Sequence, residues 1–185
     1  MVKKSKDEEL RETVLNYLKE HHTMTLATAC NNKPWAATVF YAHSDFNLYF
    51  LSDPVIAQHC KNIAENPHVS VTVDEDYPLT EPGDWRKVKG IQMEGIAKML
   101  TSEEEIAQAV RVYTGRYPFV APYLKLIMSP FPRIVSFLEN FVRRLPFAPT
   151  FSAVSLVKFY RVEPTRVWFV DNERSFERRE EVKLV

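Results

Sequence analysis

Short strand-like segments separated by turn-forming residues fill the chain between Met24 and Leu100, and this pattern constrains the fold most. The segments are Thr23–Ala29, Trp35–Tyr41, Leu48–Leu51, Val69–Val73 and Gly90–Met99. Asn, Asp, Ser and Pro, which favour turns, occupy most of the breaks. A helix-length segment, Val55–Glu65, follows the third strand-like segment. This order predicts a small antiparallel barrel and disfavours a doubly wound sheet, in which helices and strands alternate regularly.

Two further helices are predicted on either side of this series. Glu8–His21 carries apolar residues at helical spacing and is expected to cap one end of the barrel. Thr101 or Ser102 can cap a second helix, whose first turn is acidic and which is expected to run to Tyr113.

The last part of the chain predicts two more strands and a charged tail. Phe151–Tyr160 and Thr165–Val170 have strand-like composition, and Glu163-Pro164 is expected to separate them. Arg174–Lys183 is rich in charge and is predicted to be a solvated extension.

A helical insertion is predicted at about 103–149, and its part from residue 117 onward is punctuated by prolines. Leu124–Met128 and Ile134–Leu145 are predicted to be short helices within it. The insertion also contains a set of large aromatic residues, namely Phe119, Phe131, Phe137, Phe141 and Phe147. Core packing or a dimer contact is the favoured role, because apolar surface is normally buried. A lid and a membrane-facing surface are the alternatives.

Composition excludes several classes of function. At 185 residues the chain is expected to form a single domain, residues 1–185. Its 24 basic and 24 acidic residues cancel, so no nucleic-acid partner is expected. Four glycines cannot supply a dinucleotide-binding or P-loop motif, and no histidine spacing predicts a metal site. Two cysteines and the absence of a long apolar run predict a cytoplasmic protein with no transmembrane segment.

Several short motifs occur in an order that resembles the FMN-binding split-barrel family of pyridoxamine 5'-phosphate oxidase and its relatives. They are Leu26–Thr28, Pro34–Ala36, Leu48–Ser52, His59–Ile63, Asn66–Ser70, Ile91–Ala97 and Phe159–Trp168. The resemblance implies a mainly β (α+β) fold, a six-stranded antiparallel split β-barrel with flanking helices. It also implies FMN as the cofactor and a homodimer, in which two cofactor sites lie across the two-fold interface.

The resemblance places the FMN phosphate between the end of one strand and the helix that follows it. Ser52 supplies the hydroxyl, and His59 stands where the oxidases have a phosphate-binding Lys. Gln58 stands where they have an Arg, and Lys61 is a further candidate cation. A hydroxyl and a cation beside a helix N-terminus favour an anion.

The resemblance places the isoalloxazine ring against the second strand. Thr38 and Val39 are the candidates there, because backbone groups of this strand can read the polar edge of the ring. Gln92 is expected to reach the cofactor from a later strand. Trp168 can stack on the flavin of the other subunit or pack in the core.

Departures from the family pattern argue against oxidation of pyridoxamine 5'-phosphate itself. Ala36 and Ala37 stand where the oxidases have an Arg for phosphate, and Lys89-Gly90 stands where they have a cofactor-binding Arg-Gln pair. The late Arg-x-His pair is also missing. We therefore expect an FMN-dependent oxidoreductase with another substrate and no identifiable catalytic side chain. The alternative is a non-catalytic split-barrel protein that binds flavin or haem.

Overall fold

The computed structural model describes residues 4–127, 157–174 and 178–184. Within these residues, one antiparallel sheet curls into a half-barrel, as predicted. Its strands are β1 (Thr23–Cys30), β2 (Lys33–Phe40), β3 (Ala42–Ser44), β4 (Asn47–Ser52), β5 (His68–Asp74), β6 (Lys89–Met99), β7 (Lys158–Asp171) and β8 (Arg179–Val182). The order across the sheet is β2-β1-β5-β6-β7-β4-β3, and β8 pairs with the free part of β7.

Four helices of the described part of the chain flank the sheet. They are α1 (Lys6–Glu20), α2 (Gln58–Glu65), α3 (Glu103–Arg116) and α4 (Ala121–Ile127), with single 3-10 turns at Asp84–Lys87 and Pro118–Val120. The Ser5 hydroxyl and the Glu8 side chain form a reciprocal capping box at the start of α1. The Ser102 hydroxyl caps α3, which decides between the two predicted candidates, Thr101 and Ser102.

The core lies between the inner face of the curled sheet and helices α1 and α2. Alternate residues of β1, β5, β6 and β7 point into it, among them the fully buried Leu26, Val71 and Ile91. Polar and small residues alternate with these and occupy the outer face. This period of two is the reason why the central strands could be predicted from the sequence.

The resemblance implied six strands and the sequence pattern gave seven segments, whereas the described residues form eight strands. The tail that was predicted to be a solvated extension contains β8, which pairs with Val167–Val170 of β7. The apolar Val182 explains this pairing, since its side chain is 3% exposed and joins the core. The short β3 adds the other strand and forms a hairpin with β4.

The predicted break at Glu163-Pro164 was wrong, because β7 continues through it. The pairing of β6 with β7 shifts register between Glu94 and Gly95, which places Pro164 opposite Gly95. A Cβ atom at Gly95 would lie 2.6 Å from the Glu163 carbonyl oxygen, so only glycine fits there without a shift. The irregularity accommodates the proline within a continuous strand.

Helix α2 begins at Gln58, three residues later than predicted. The Asp53 carboxylate explains the delay, because its Oδ1 accepts hydrogen bonds from the backbone N–H of Val55 (2.8 Å) and of Ile56 (3.3 Å). This local turn holds the preceding residues in a non-helical conformation. It also places the side chains of Val55 and Ile56 in solvent, 61% and 70% exposed.

The first part of the insertion packs on the sheet edge. Tyr113 of α3 and Leu124 of α4 join a second apolar cluster with Tyr49 and Phe159, so these two side chains pack against the sheet. Phe119 is 71% exposed. The predicted helix Ile134–Leu145 and the remaining insertion phenylalanines lie outside the described residues. No helix of the described chain has both the length and the apolarity needed to cross a membrane.

Candidate functional site

Ser52 and His59 form a buried pair where β4 ends and α2 begins. The Ser52 Oγ and His59 Nε2 atoms lie 2.7 Å apart. The two side chains are 9% and 8% exposed. The two residues that were proposed to bind phosphate, one at the strand end and one on the helix, therefore lie together. They form a hydrogen bond with each other.

Burial sets the charge of His59. Desolvation lowers the pKa of the His59 imidazole from its ordinary value, and the Phe50 ring lies 6.0 Å away between ring centroids. His59 therefore does not face solvent, although it lies on a short surface helix. Near pH 7 the pair is a neutral hydrogen-bonding unit that can take up a proton when an anion binds beside it.

A chain of polar side chains runs from α2 to the edge strand. Gln58 Nε2 donates to Asn62 Oδ1 at 2.8 Å, and Asn62 Nδ2 donates to Thr28 Oγ1 at 2.9 Å. The Thr28 hydroxyl faces the Trp35 carbonyl oxygen of β2 at 3.5 Å. Asn62 and Thr28 are both 4% exposed. The predicted ligand contact Gln58 is thus joined to the backbone of β2.

Lys61 lies on the solvent side of α2, away from the Ser52–His59 pair. It has no ion pair within the described part of the chain. Gln58 and Lys61 line a cleft of about 640 Å³, together with Cys60, Met99 and Tyr160. The volume lies in the range of small-molecule sites.

Three other predicted residues lie in one row across the outer face of the sheet. Directly paired residues share a face in an antiparallel sheet, and the row runs Thr38, Thr25, Thr72, Gln92, Trp168 and Glu181. Val39 points to the opposite face and packs against the core. Thr38, Gln92 and Trp168 therefore lie on the other side of the sheet from α2, which covers the inner-face residue Thr28.

Trp168 is half-buried on the outer face, and two arginine side chains lie close to its ring. The Arg166 guanidinium carbon lies 4.4 Å from its ring centroid, and that of Arg179 lies 6.0 Å away. Glu181 holds Arg166 through a contact of 3.1 Å, and Arg179 donates to Gln92 Oε1 at 3.1 Å. This cationic and aromatic cluster lies at one end of the outer row.

Sequence reasoning missed Thr28, Asn62 and Arg179. Asn62 gave a signal that could have been used, since it lies three residues after His59, on a neighbouring part of the same short helix. Arg179 lay in the supposed tail and gave none. Among the described residues, no group of three or more His, Cys, Asp or Glu side chains could hold a metal ion.

Comparison with known proteins now identifies the family. A sequence model described as pyridoxamine 5'-phosphate oxidase matches residues 10–135, which is more than half of the chain. The chain belongs to the pyridoxamine 5'-phosphate oxidase family. No curated protein sequence matches it significantly.

Solved structures of low sequence identity share the fold of this family member. A heme binding protein from Mycobacterium smegmatis is 18% identical with a TM-score of 0.59, and the match covers 98% of this chain. The chain spans only 59% of that protein's length. HutZ, the heme storage protein from Vibrio cholerae, is 18% identical with a TM-score of 0.56, covering 85% of this chain and 92% of that chain.

A flavoprotein has the same fold as well. An FAD-binding protein from Mesorhizobium loti is 21% identical with a TM-score of 0.53, and the match covers 85% of this chain and 90% of that chain. Likenesses at this level of identity establish the fold alone, so the choice between ligands depends on the site itself.

Proposed function

We propose that this protein is an FMN-binding oxidoreductase that does not act on pyridoxamine 5'-phosphate. The observation that carries the proposal is the Ser52–His59 pair at the start of α2, beside the exposed edge strand β2. Within the described residues, β2 ends the sheet and has a hydrogen-bonding partner on one side only. A flavin nucleotide can place its phosphate at the pair and its ring along β2, near Thr38 and Val39.

Phosphate binding here depends on hydrogen bonds more than on fixed charge. While the Ser52–His59 hydrogen bond is kept, the neutral pair has one N–H or O–H left to donate to a phosphate. Uptake of a proton makes His59 cationic and supplies a second donor. Gln58 and Lys61 are the secondary contacts, from the solvent side of α2. The bound flavin would supply the redox chemistry, and the chain supplies binding and orientation.

A homodimer reconciles the two sets of predicted residues. In one chain, Gln92 and Trp168 lie on the face of the sheet away from α2. A second copy packed by two-fold symmetry against β2 can bring its own Gln92 and Trp168 toward the flavin. Light scattering at micromolar concentration should give twice the chain mass. A stable mass near 21.6 kDa would count against the dimer.

The substrate phosphate of the oxidase has no partner here. Ala36 stands exposed on β2, and neither it nor Ala37 can bind an anion. Lys89 is 3.5 Å from Asp171 and 2.9 Å from Glu173, so its charge is already compensated. We expect an external nicotinamide or a partner reductase to reduce the flavin. In an oxygen-coupled assay, turnover of pyridoxamine 5'-phosphate near about 10 per second would restore the oxidase assignment.

Haem binding is the second candidate, in a non-catalytic protein. Two of the structural neighbours are named for haem, and the neutral Ser52–His59 pair is a weaker phosphate site than one with Lys and Arg.

The two cysteines are free thiols, and we propose that the protein works in the cytoplasm, where thiols stay reduced.

The deciding experiment is a mass spectrum of the supernatant after denaturing the purified protein. Bound FMN should appear there, and the native protein should absorb near about 370 and 450 nm, as flavins do. Haem in the supernatant with an intense band near about 400 nm would favour the second candidate. Protein that is purified colourless and also fails to bind added FMN would contradict the proposal.

A further inference from the structure

We propose that Thr28 and Asn62 are positioning residues, which hold the edge strand β2 and the helix α2 at the separation that one flavin nucleotide spans. The inference rests on the proposed function. It assigns a role to two buried polar residues that lie behind the ligand contacts and do not themselves reach the ligand.

The first observation is the direction of the hydrogen bonds. Thr28 Oγ1 accepts from Asn62 Nδ2, so its own proton is free to point at the Trp35 carbonyl oxygen. Asn62 Oδ1 in turn accepts from Gln58 Nε2. In this direction every member of the hydrogen-bonded series meets a complementary donor or acceptor, and the Thr28 proton can also reach the backbone of β2.

The second observation is burial. Thr28 and Asn62, in the middle of the hydrogen-bonded series, are each 4% exposed. Gln58 and Trp35, at its two ends, are exposed. Buried polar side chains stay paired, because an unpaired one loses the hydrogen bonds that water would give. Thr28 and Asn62 therefore resist rearrangement, whereas Gln58 and Trp35 are open to the proposed ligand.

The third observation concerns the two elements that this hydrogen-bonded series connects. One end lies on α2, next to His59, and the other is the backbone of β2, three residues from Thr38. In the proposed site the phosphate lies at the first end and the ring at the second. A ligand that contacts both ends gains from their fixed separation, whereas a ligand that contacts one end does not.

The test compares FMN with riboflavin, which has the ring but no phosphate. Fluorescence titration of Thr28→Val, which preserves the volume of the side chain and removes its hydroxyl, should weaken FMN binding about fivefold to tenfold, the effect of one hydrogen bond. Riboflavin affinity should change by less than about twofold. Thr28→Ser keeps the hydroxyl and should restore the FMN affinity. Thr23→Val, an exposed threonine of the same strand, should change neither affinity.

Amide hydrogen exchange in ligand-free protein gives a readout that does not depend on flavin. Thr28→Val should speed exchange in β2 and at the start of α2 and leave β8 unchanged, whereas Thr23→Val should not reproduce this pattern. The inference is overturned if Thr28→Val weakens FMN and riboflavin equally, or leaves both unchanged. If wild-type protein binds neither ligand, the proposed function fails, and unchanged exchange in β2 would then overturn the positioning role separately.

Discussion

Strands β1 and β2 are paired over eight residues each and have similar compositions, yet their surroundings differ completely. Met24 and Leu26 of β1 are buried in the core, and its outward residues are mostly half-covered. In β2, six of eight residues are exposed, including Trp35 at 48% and Phe40 at 65%. Overall composition does not show which strand is buried, since both combine threonine and alanine with larger apolar residues.

The difference shows which strand is incomplete in a single chain. An open edge strand with exposed aromatic side chains is a hazard that proteins normally cover or charge. Within the described residues, helix α2 covers the β1 side, and β2 lies at the margin. The incomplete strand is therefore the natural place for the proposed flavin and for a second copy of the chain.

The largest expected effect tests the difference in burial directly. Leu26→Ala removes a side chain that is fully buried, and should lower the free energy of unfolding by about 2–5 kcal/mol. Phe40→Ala removes a larger side chain from an exposed position, and should change it by less than about 0.5 kcal/mol in the monomer. Urea denaturation at two protein concentrations measures both. A large effect of Phe40→Ala that grows with protein concentration would show that a second copy covers β2.

The next largest expected effect tests whether FMN binds at the Ser52–His59 pair, beside β2. Ser52→Ala combined with His59→Ala should weaken FMN binding by about 1.5–4 kcal/mol, through the loss of one neutral and one potentially charged hydrogen bond. Isothermal titration calorimetry measures this change.

A matched control is available on the other face of the sheet. His68 and Ser70 are an exposed histidine and serine of β5, so replacing both by alanine removes the same groups from the outer face of the sheet, opposite the Ser52–His59 pair. Unchanged FMN affinity in a folded Ser52–His59 double variant, or an equal loss in the control, would move the site elsewhere.

The smallest expected effect concerns buried His59 and is measured as the pH dependence of the free energy of unfolding. Burial lowers the folded-state pKa of His59 below the ordinary value for a histidine, about 6.5, so the unfolded chain binds the proton more readily. The stability that neutral His59 allows is present above about pH 6.5 and is lost as the pH falls through the folded-state pKa. His59→Gln should flatten this acid dependence. Denaturation curves between about pH 5 and pH 8 for the two proteins provide the measurement, and identical slopes would contradict it.

Much of the fold was predictable because burial imposes a period of two. Val69–Val73 and Ile91–Met93 alternate clearly, and turn residues bound the early strands. The sequence could not predict that β7 passes through Pro164, because this depends on the missing Cβ of Gly95 on the neighbouring strand. It could not assign β8 either, since Val182 is an isolated apolar residue among charges.

The candidate site was predictable in its parts and not in its arrangement. Ser52 and His59 were singled out from the family motifs, and the structure places their side chains next to each other. Their direct hydrogen bond and the neutral state of His59 depend on how deeply α2 packs, which local sequence does not specify. Trp168 was expected near the cofactor or in the core, and its two arginine neighbours come from different strands.

The register shift at Gly95 has a consequence for how the chain assembles. Strands β6 and β7 make the longest pairing in the described sheet, and a slip of one residue would turn Ile91 and Met93 from the core to the outer face. A slip of one or two residues in either direction would place a residue with a Cβ atom, instead of Gly95, against the carbonyl of Glu163. Gly95 therefore excludes slipped pairings during folding, and a single glycine helps to decide which residues of two long strands face the core.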